Sequence, residues 1–326
     1  MNRDITGKTI VITGASSGAG RAAAVELAAS RPSLVLAGRN TVSLEEVAEE
    51  CREFGADVLV VPTDVTDAAA MKKLAATAHD WGLGIDVWIN NAGVLAAGDF
   101  DETPLEVHNQ VVATNLLGYM SGVHAVLPYF KQQRHGIIIN NISIGGYLPV
   151  PYSAGYTASK FGLRGFSEAL KGELSPWPEI YVCDLFPHFL NTPGMLHAGN
   201  YTGKVLKPAP PVQDPVKVAR SIAALIKDPK PASYTLPSLI FKAAHSAFPG
   251  LTTKITGMVI RKYFSLAEPI ARTNGNLFNT VDYGMSTKGV FPAAATINKA
   301  RRKATAMGFL AGFAIGIYLL SKGSSK

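Results

Sequence analysis

The chain has 326 residues, 47% hydrophobic and 17% charged, enough for one large domain with a substantial core and a composition that excludes disordered, collagen-like and disulfide-built classes. Its net charge of +7 sits entirely at the C-terminal end: seven basic residues from Lys288 to Lys326 have no acidic companion, leaving 24 of the 31 basic residues to face 24 acidic ones in residues 1–287. A neutral body gives no basic face for a polyanion, so a nucleic-acid partner is not expected.

The chain enters Lys8-Thr9-Ile10-Val11-Ile12-Thr13 almost at once, which reads as a strand and not as a cleavable leader. Short Val- and Ile-rich runs follow at 9–13, 33–37, 57–61, 86–89, 136–142 and 180–186. They are apolar almost throughout, as strands covered on both faces should be. Helical patterns lie between them at 18–30, 42–54, 67–80, 104–131 and 153–174, and Ser-Tyr-Thr-Leu-Pro at 233–237 reads as a last strand. This alternation predicts an α/β fold with a doubly wound parallel sheet. Residues 192–215, rich in Gly and Pro, follow a strand end and read as a substrate loop. Cys51 and Cys183 are far apart with no metal-type spacing, and read as reduced, buried thiols.

The first strand leads into Thr13-Gly14-Ala15-Ser16-Ser17-Gly18-Ala19-Gly20 and then a helix. Glycines at such a turn let the backbone approach a pyrophosphate, and the helix start presents unpaired N–H groups and a positive dipole end. The second strand ends in Gly38-Arg39-Asn40, with no carboxylate for a ribose 2′-hydroxyl. A guanidinium there suits a 2′-phosphate, which favours NADP(H), and Arg21 adds nearby charge. At the third strand end, Asp64 and Val65 are candidates to hold the adenine. At the fourth, Asn90-Asn91-Ala92-Gly93 offers small residues where the chain passes the cofactor. Turn chemistry alone also uses these residue types, but their recurrence at successive strand ends points to one crevice.

Tyr156 and Lys160 are four apart on a predicted helix and share a face. A free phenol titrates at about 10 and is a poor base at neutral pH. A neighbouring ammonium and a positive nicotinamide would favour the phenolate and lower that value. Ser143, at the end of the fifth strand, would hold a substrate oxygen, and Asn115 could hold a water linking Lys160 to solvent.

Together, Thr13-Gly14-x-x-x-Gly18-x-Gly20, Asn90-Asn91-Ala92-Gly93, Asn115, Ser143 and Tyr156-x-x-x-Lys160 resemble the short-chain dehydrogenase/reductase superfamily over about residues 5–237. The resemblance implies one Rossmann-type domain of seven parallel strands and a tetrad of Asn115, Ser143, Tyr156 and Lys160. It also implies that Lys160 bonds the nicotinamide ribose and that Pro187 to Thr192 form the cofactor turn after the sixth strand. The family usually has Pro-Gly where this chain has Pro187-His188, so His188 either narrows the nicotinamide pocket, touches substrate or faces solvent. A homodimer or homotetramer is the implied assembly.

Residues 238–303 read as an extension, with amphipathic helices at 238–248 and 251–264 and a loop-rich stretch over 265–298. Ala304 to Ser321 is 18 residues without charge, about 27 Å as a helix, and is expected to anchor the chain in a membrane. Lys299, Arg301, Arg302 and Lys303 precede it and would stay on the cytoplasmic side or against anionic lipid headgroups, placing the catalytic domain in the cytoplasm; the alternative is a surface-lying helix, or a buried terminal helix in a soluble cytoplasmic protein. Gly308, Gly312 and Gly316 give that helix one smooth face. Leu95, Phe100, Tyr147, Leu148, Tyr152, Met195, Leu196 and Tyr201 suggest an apolar substrate pocket. The expected function is therefore an NADP(H)-dependent oxidoreductase acting on a lipophilic alcohol or carbonyl; the alternative is a non-catalytic NADP(H)-binding scaffold or sensor at a membrane.

Overall fold

The computed structural model describes residues 4–289. The expected membrane anchor at 304–321 and its basic flank lie outside the described residues.

Seven strands form one sheet in which every neighbouring pair is parallel: β1 (Thr9–Thr13), β2 (Ser33–Gly38), β3 (Asp57–Pro62), β4 (Val87–Asn90), β6 (Gly136–Asn141), β7 (Ile180–Phe186) and β9 (Ala232–Tyr234). A separate pair of two-residue strands, β5 (Ala96–Ala97) and β8 (Gly199–Asn200), ties two loops together. The large sheet has the order β3-β2-β1-β4-β6-β7-β9. Its strand order reverses direction between β1 and β4, and in open α/β sheets ligands bind beyond the carboxyl ends of strands at such a switch point.

Alternation along each strand builds a core on both sheet faces. Ile10, Ile12, Leu34, Leu36, Ile89 and Ile139 pack on one side with α1 (Gly18–Ala28), α2 (Thr41–Glu53) and α7 (Pro215–Lys227). Val11, Val35, Trp88 and Ile138 pack on the other with α3 (Ala68–Gly82) and α5 (Gly118–Gln133). Each such side chain, removed fully from water, contributes about 1.5–3 kcal/mol.

The predicted helix over 104–131 is two helices, α4 (Leu105–Val112) and α5, joined by a π-turn at Ala113–Leu117 that contains Asn115. Among the described residues, Leu105–Gln133 is the one helical stretch long and apolar enough to cross a membrane, and half of it is buried inside the protein. The seventh major helix, α7, was not expected. Its signals are an Asp214 carboxylate that accepts from the N–H of Val216, Pro215 in the first turn, and buried Val218, Ile222, Leu225 and Ile226.

The last predicted strand, 233–237, is corrected in part. Strand β9 stops at Tyr234 because Thr235 caps a helix, accepting from the N–H of Ser238, and Pro237 sits in that helix's first turn. This helix, α8 (Leu236–Ala247), and α9 (Pro249–Leu266) follow α7, which α6 (Ala154–Glu173) precedes. Beyond α9 the chain turns back over the body. Thr273 exchanges two backbone hydrogen bonds with Asn200 at 2.7 and 3.0 Å, and Gly289 donates to the carbonyl of Asn191 at 3.0 Å. No disulfide joins Cys51 and Cys183, and both are buried.

Candidate active site

The turn after β1 is built for close approach. Gly14 has φ +66°, and a Cβ there would lie 2.6 Å from the Cα of Ala92. A Cβ on Gly20 would overlap the carbonyl oxygen of Gly14. These two positions bring the β1–α1 turn against the end of β4 with no side chain between them, the form of turn that can hold a phosphate at a helix start. Ser17 is the N-cap with extended backbone and makes no side-chain cap, so its hydroxyl is not spent on the helix. Ser16 lies beside Gly38 at the end of β2, and Ala19 packs against the core. Thr192 flanks the same turn, its side chain 3.3 Å from where a Cβ on Gly18 would stand. The glycine cradle at the start of α1, where the Gly18 N–H now donates to a main-chain carbonyl of Ser286, is of the form that fits a dinucleotide pyrophosphate.

Several expected cofactor residues carry structural duties. The Asn91 amide donates to the carbonyls of Thr13 and Gly14, at 3.1 Å each, and its Oδ1 accepts from Asn141 at 2.9 Å. Its side chain therefore welds β1 to β4 and is not available to a ligand. One carboxylate oxygen of Asp64 accepts from the N–H and hydroxyl of Thr66, an Asx-type turn. Val65 is buried against Gly118. Arg21 does not add free charge to the groove: it pairs with Glu46 and Glu50 and donates to the carbonyl of Met285 at 2.6 Å.

At the end of β6, Ser143 has φ +92° and ψ 157°, a region that non-glycine residues enter only under strain of about 1–3 kcal/mol. Its hydroxyl accepts from the N–H of Gly145 at 3.2 Å and is hydrogen-bonded to the phenol of Tyr156. Tyr156 and Lys160 lie on α6, and the Lys160 ammonium is 5.9 Å from the Tyr156 ring centre and 5.1 Å from that of Tyr119. Lys160 donates to the carbonyl of Asn141 at 3.2 Å. The Asn115 amide accepts from the N–H of Val94 at 2.8 Å and donates to its carbonyl at 2.9 Å, and it also donates to Ser159 at 3.3 Å. The four tetrad residues thus converge where β4, β6 and α6 meet.

Burial pushes the Tyr156 phenol up, with the Ser143 hydrogen bond opposing it. Burial also depresses Lys160 to about 7, so its charge is itself weakened. His188 is not solvent-facing: its Nδ1 lies 2.8 Å from the Thr235 hydroxyl, and burial lowers it to about 4, so it is neutral near pH 7. Pro187 accepts from the N–H of Ile144 at 2.8 Å, joining the β7 end to the Ser143 turn.

A family model described as short chain dehydrogenase matches residues 8–199. The chain belongs to the short-chain dehydrogenase family. This short-chain dehydrogenase is 36% identical over 189 residues to Dehydrogenase/reductase SDR family member 7 of Homo sapiens, covering 56% of each protein. It is 32% identical over 222 residues to 17-beta-hydroxysteroid dehydrogenase 13 of Mus musculus, covering 68% of this chain and 71% of that one. The chain therefore spans little more than half the length of some curated relatives it matches. Among solved structures, the alcohol dehydrogenase from the archaeon Thermococcus sibiricus complexed with 5-hydroxy-NADP superimposes with a TM-score of 0.59 at 28% identity, over 68% of this chain and 91% of that one. A metagenomic short-chain oxidoreductase in complex with NADP gives 0.59 at 26%, over 69% and 93%.

Two features of this short-chain dehydrogenase were not legible as site features. Of the expected wall residues, Phe100 is largely exposed beside His108, and Tyr147 lies tilted against Phe186 and hydrogen-bonds the hydroxyl of Tyr234, so both are engaged with neighbours of their own. Residues 274–289, expected to be loop, run along the groove, and Arg39 donates to the carbonyls of Asn276 and Leu277 there. The sole sequence signal was the run of apolar side chains Leu277, Phe278, Val281, Tyr283 and Met285 inside a turn-rich stretch.

Proposed function

We propose that this chain is an NADP(H)-dependent oxidoreductase that interconverts an apolar alcohol and its ketone or aldehyde, with Tyr156 moving the proton. The observation that carries the reading is the half-buried Tyr156, its phenol hydrogen-bonded to Ser143 and one helical turn from Lys160, at the edge of a glycine cradle that fits a dinucleotide. Gly14, Ser16, Ser17, Gly18, Ala19 and Gly20 would hold the pyrophosphate, Arg39 the 2′-phosphate, Asp64 and Val65 the adenine. Asn91 supports the reading through its backbone alone, with Ala92, Gly93, Pro187 and Thr192 along the nicotinamide half. The bound cofactor supplies the hydride or accepts it.

The chain's own residues supply the rest. Ser143 places a carbonyl oxygen next to the phenol. Because burial keeps Tyr156 protonated, the phenol is poised to donate to that oxygen as a reduction requires. Lys160, held by the Asn141 carbonyl, stabilises the phenolate left behind. Asn115 acts on position: its amide is committed to Val94 and Ser159, so any water relay falls to its main-chain carbonyl, inside a π-turn that interrupts the regular helical ladder. The exposed Leu239, Met258, Val259 and Leu266 on α8 and α9, with Lys254, Arg261 and Lys262 among them, suit a lipid surface from which an apolar substrate would enter.

The test is NADPH consumption against a panel of lipophilic ketones and aldehydes, with Tyr156→Phe as control. Turnover should fall by about 10²–10⁴-fold in the variant, the usual weight of a positioned acid. Equal turnover in both proteins refutes the role of Tyr156.

A further inference from the structure

The groove that the cofactor reading assigns to a dinucleotide is crossed by the chain itself. Gly18, whose N–H stands at the start of α1, donates to the carbonyl of Ser286 at 3.0 Å. Arg39 donates to the carbonyls of Asn276 and Leu277, the latter at 3.2 Å, and Asn40 donates to that of Val281 at 3.2 Å. Leu277 is fully buried against Val94, Val107 and Val111, in a cluster that Tyr156 also joins. The segment is fastened at both ends outside these contacts, by Thr273 to Asn200 and by Gly289 to Asn191, with an ion pair of Lys288 to Asp214 at 3.2 Å.

We propose that residues 274–289 are an internal competitor for the nucleotide: a strap whose carbonyls satisfy the phosphate-binding donors and which must lift from the groove before the cofactor seats. The inference rests on the dinucleotide reading of that groove. The chemistry of the donors argues for exchange. A helix N-terminus and a guanidinium are matched by an anion, and charge-assisted bonds to phosphate are roughly twice as strong as those to a neutral carbonyl. Main-chain carbonyls therefore hold the groove without saturating it. The fixed ends keep the strap nearby, so its return is intramolecular and fast. A protein whose open form is a minor fraction binds its ligand more weakly by that fraction, and the strap sets the fraction.

The experiment uses the full chain. NADPH dissociation constants are measured by fluorescence titration for the wild type and Leu277→Ser, and amide hydrogen exchange is followed in the wild type with and without saturating NADPH. Leu277→Ser removes the apolar anchor of the strap and should bind NADPH about ten-fold tighter, equivalent to about 1.4 kcal/mol. In the wild type, NADPH should slow exchange in residues 14–20 and speed it in residues 274–289. Equal or greater protection of 274–289 with NADPH bound makes the segment a lid over the nucleotide and overturns the proposal, as does an unchanged affinity in Leu277→Ser. If Leu277→Ser does not fold, the wild-type exchange decides alone. If neither protein binds NADPH or NADH, the dinucleotide reading itself fails and the strap proposal with it, an outcome distinct from binding that leaves the strap in place.

Discussion

The Lys160 ammonium donates to the main-chain carbonyl of Asn141 at 3.2 Å, so the last residue of β6 holds the charge that the proposed mechanism sets beside the Tyr156 phenol. That position has a thermodynamic signature. Burial depresses Lys160 from 10.5 to about 7. Below about pH 7 the group is charged in both folded and unfolded chains, and the cost of burying it is fully present. Between there and its unfolded value the unfolded chain binds the extra proton, so stability rises with pH. Lys160→Met removes the cost. Its melting temperature should exceed that of the wild type near pH 6–7, by on the order of several kcal/mol at most in stability, and the gap should close towards pH 10. A gap that does not change with pH contradicts the burial account.

Ser143 stores strain beside the Tyr156 phenol, with φ +92°. Ser143→Gly relieves it, worth about 1–3 kcal/mol, against about 0.5–1 kcal/mol of extra chain entropy. Ser143→Ala keeps the strain. Both lose the bond to Tyr156 and the acceptor for Gly145. Thermal melts should therefore rank Gly above Ala by roughly 1 kcal/mol, while turnover falls by at least about 10²-fold in both. A glycine variant less stable than the alanine variant removes the strain argument.

The sheet was legible because its strands are apolar on both faces: the runs at 9–13 and 180–186 coincide with β1 and β7. The meeting of the glycine turn, Ser143, Tyr156 and Lys160 at one end of the sheet was legible because each stands at a fixed spacing from a predicted strand end or on one predicted helix. What stayed hidden depends on contacts distant in sequence. Nothing local to Asn91 says that its amide will be consumed by the carbonyls of Thr13 and Gly14, 78 and 77 residues away. The sign of the Tyr156 shift depends on how deeply the assembled fold buries it, which spacing on a helix does not encode. Leu277 meets Arg39 across 238 residues, and turn-rich sequence gives no direction to such a return. The missed α7 had local signals in Asp214 and Pro215; the Pro-rich stretch just before it masked them.

Gly20 is where the nucleotide turn is tightest, since a Cβ there would overlap the Gly14 carbonyl and press on the Asn91 amide. Both neighbours are held by the weld between β1 and β4, so little can give way. Gly20→Ala should destabilise the fold by about 1–3 kcal/mol, as overpacking does, and weaken NADPH binding beyond what lost stability explains. Melts and titration on the same protein check it. A variant with wild-type stability and affinity means the turn relaxes freely.

Arg39 serves two partners in turn, the 2′-phosphate in the proposed complex and the strap carbonyls of Asn276 and Leu277 without it. Its removal therefore has opposite effects on the two nicotinamide cofactors. Arg39→Ala loses a charge-assisted contact to the 2′-phosphate of about 1.5–3 kcal/mol, so the preference for NADPH over NADH should fall by about 10- to 100-fold. NADH makes no contact that requires the guanidinium and gains from a loosened strap, so its own dissociation constant should fall in the same variant. Titration of both cofactors against both proteins separates the effects. An unchanged NADPH-to-NADH ratio removes Arg39 from the cofactor site, whereas a lowered ratio with NADH affinity unaltered keeps the cofactor assignment and argues that Arg39 does not hold the strap down.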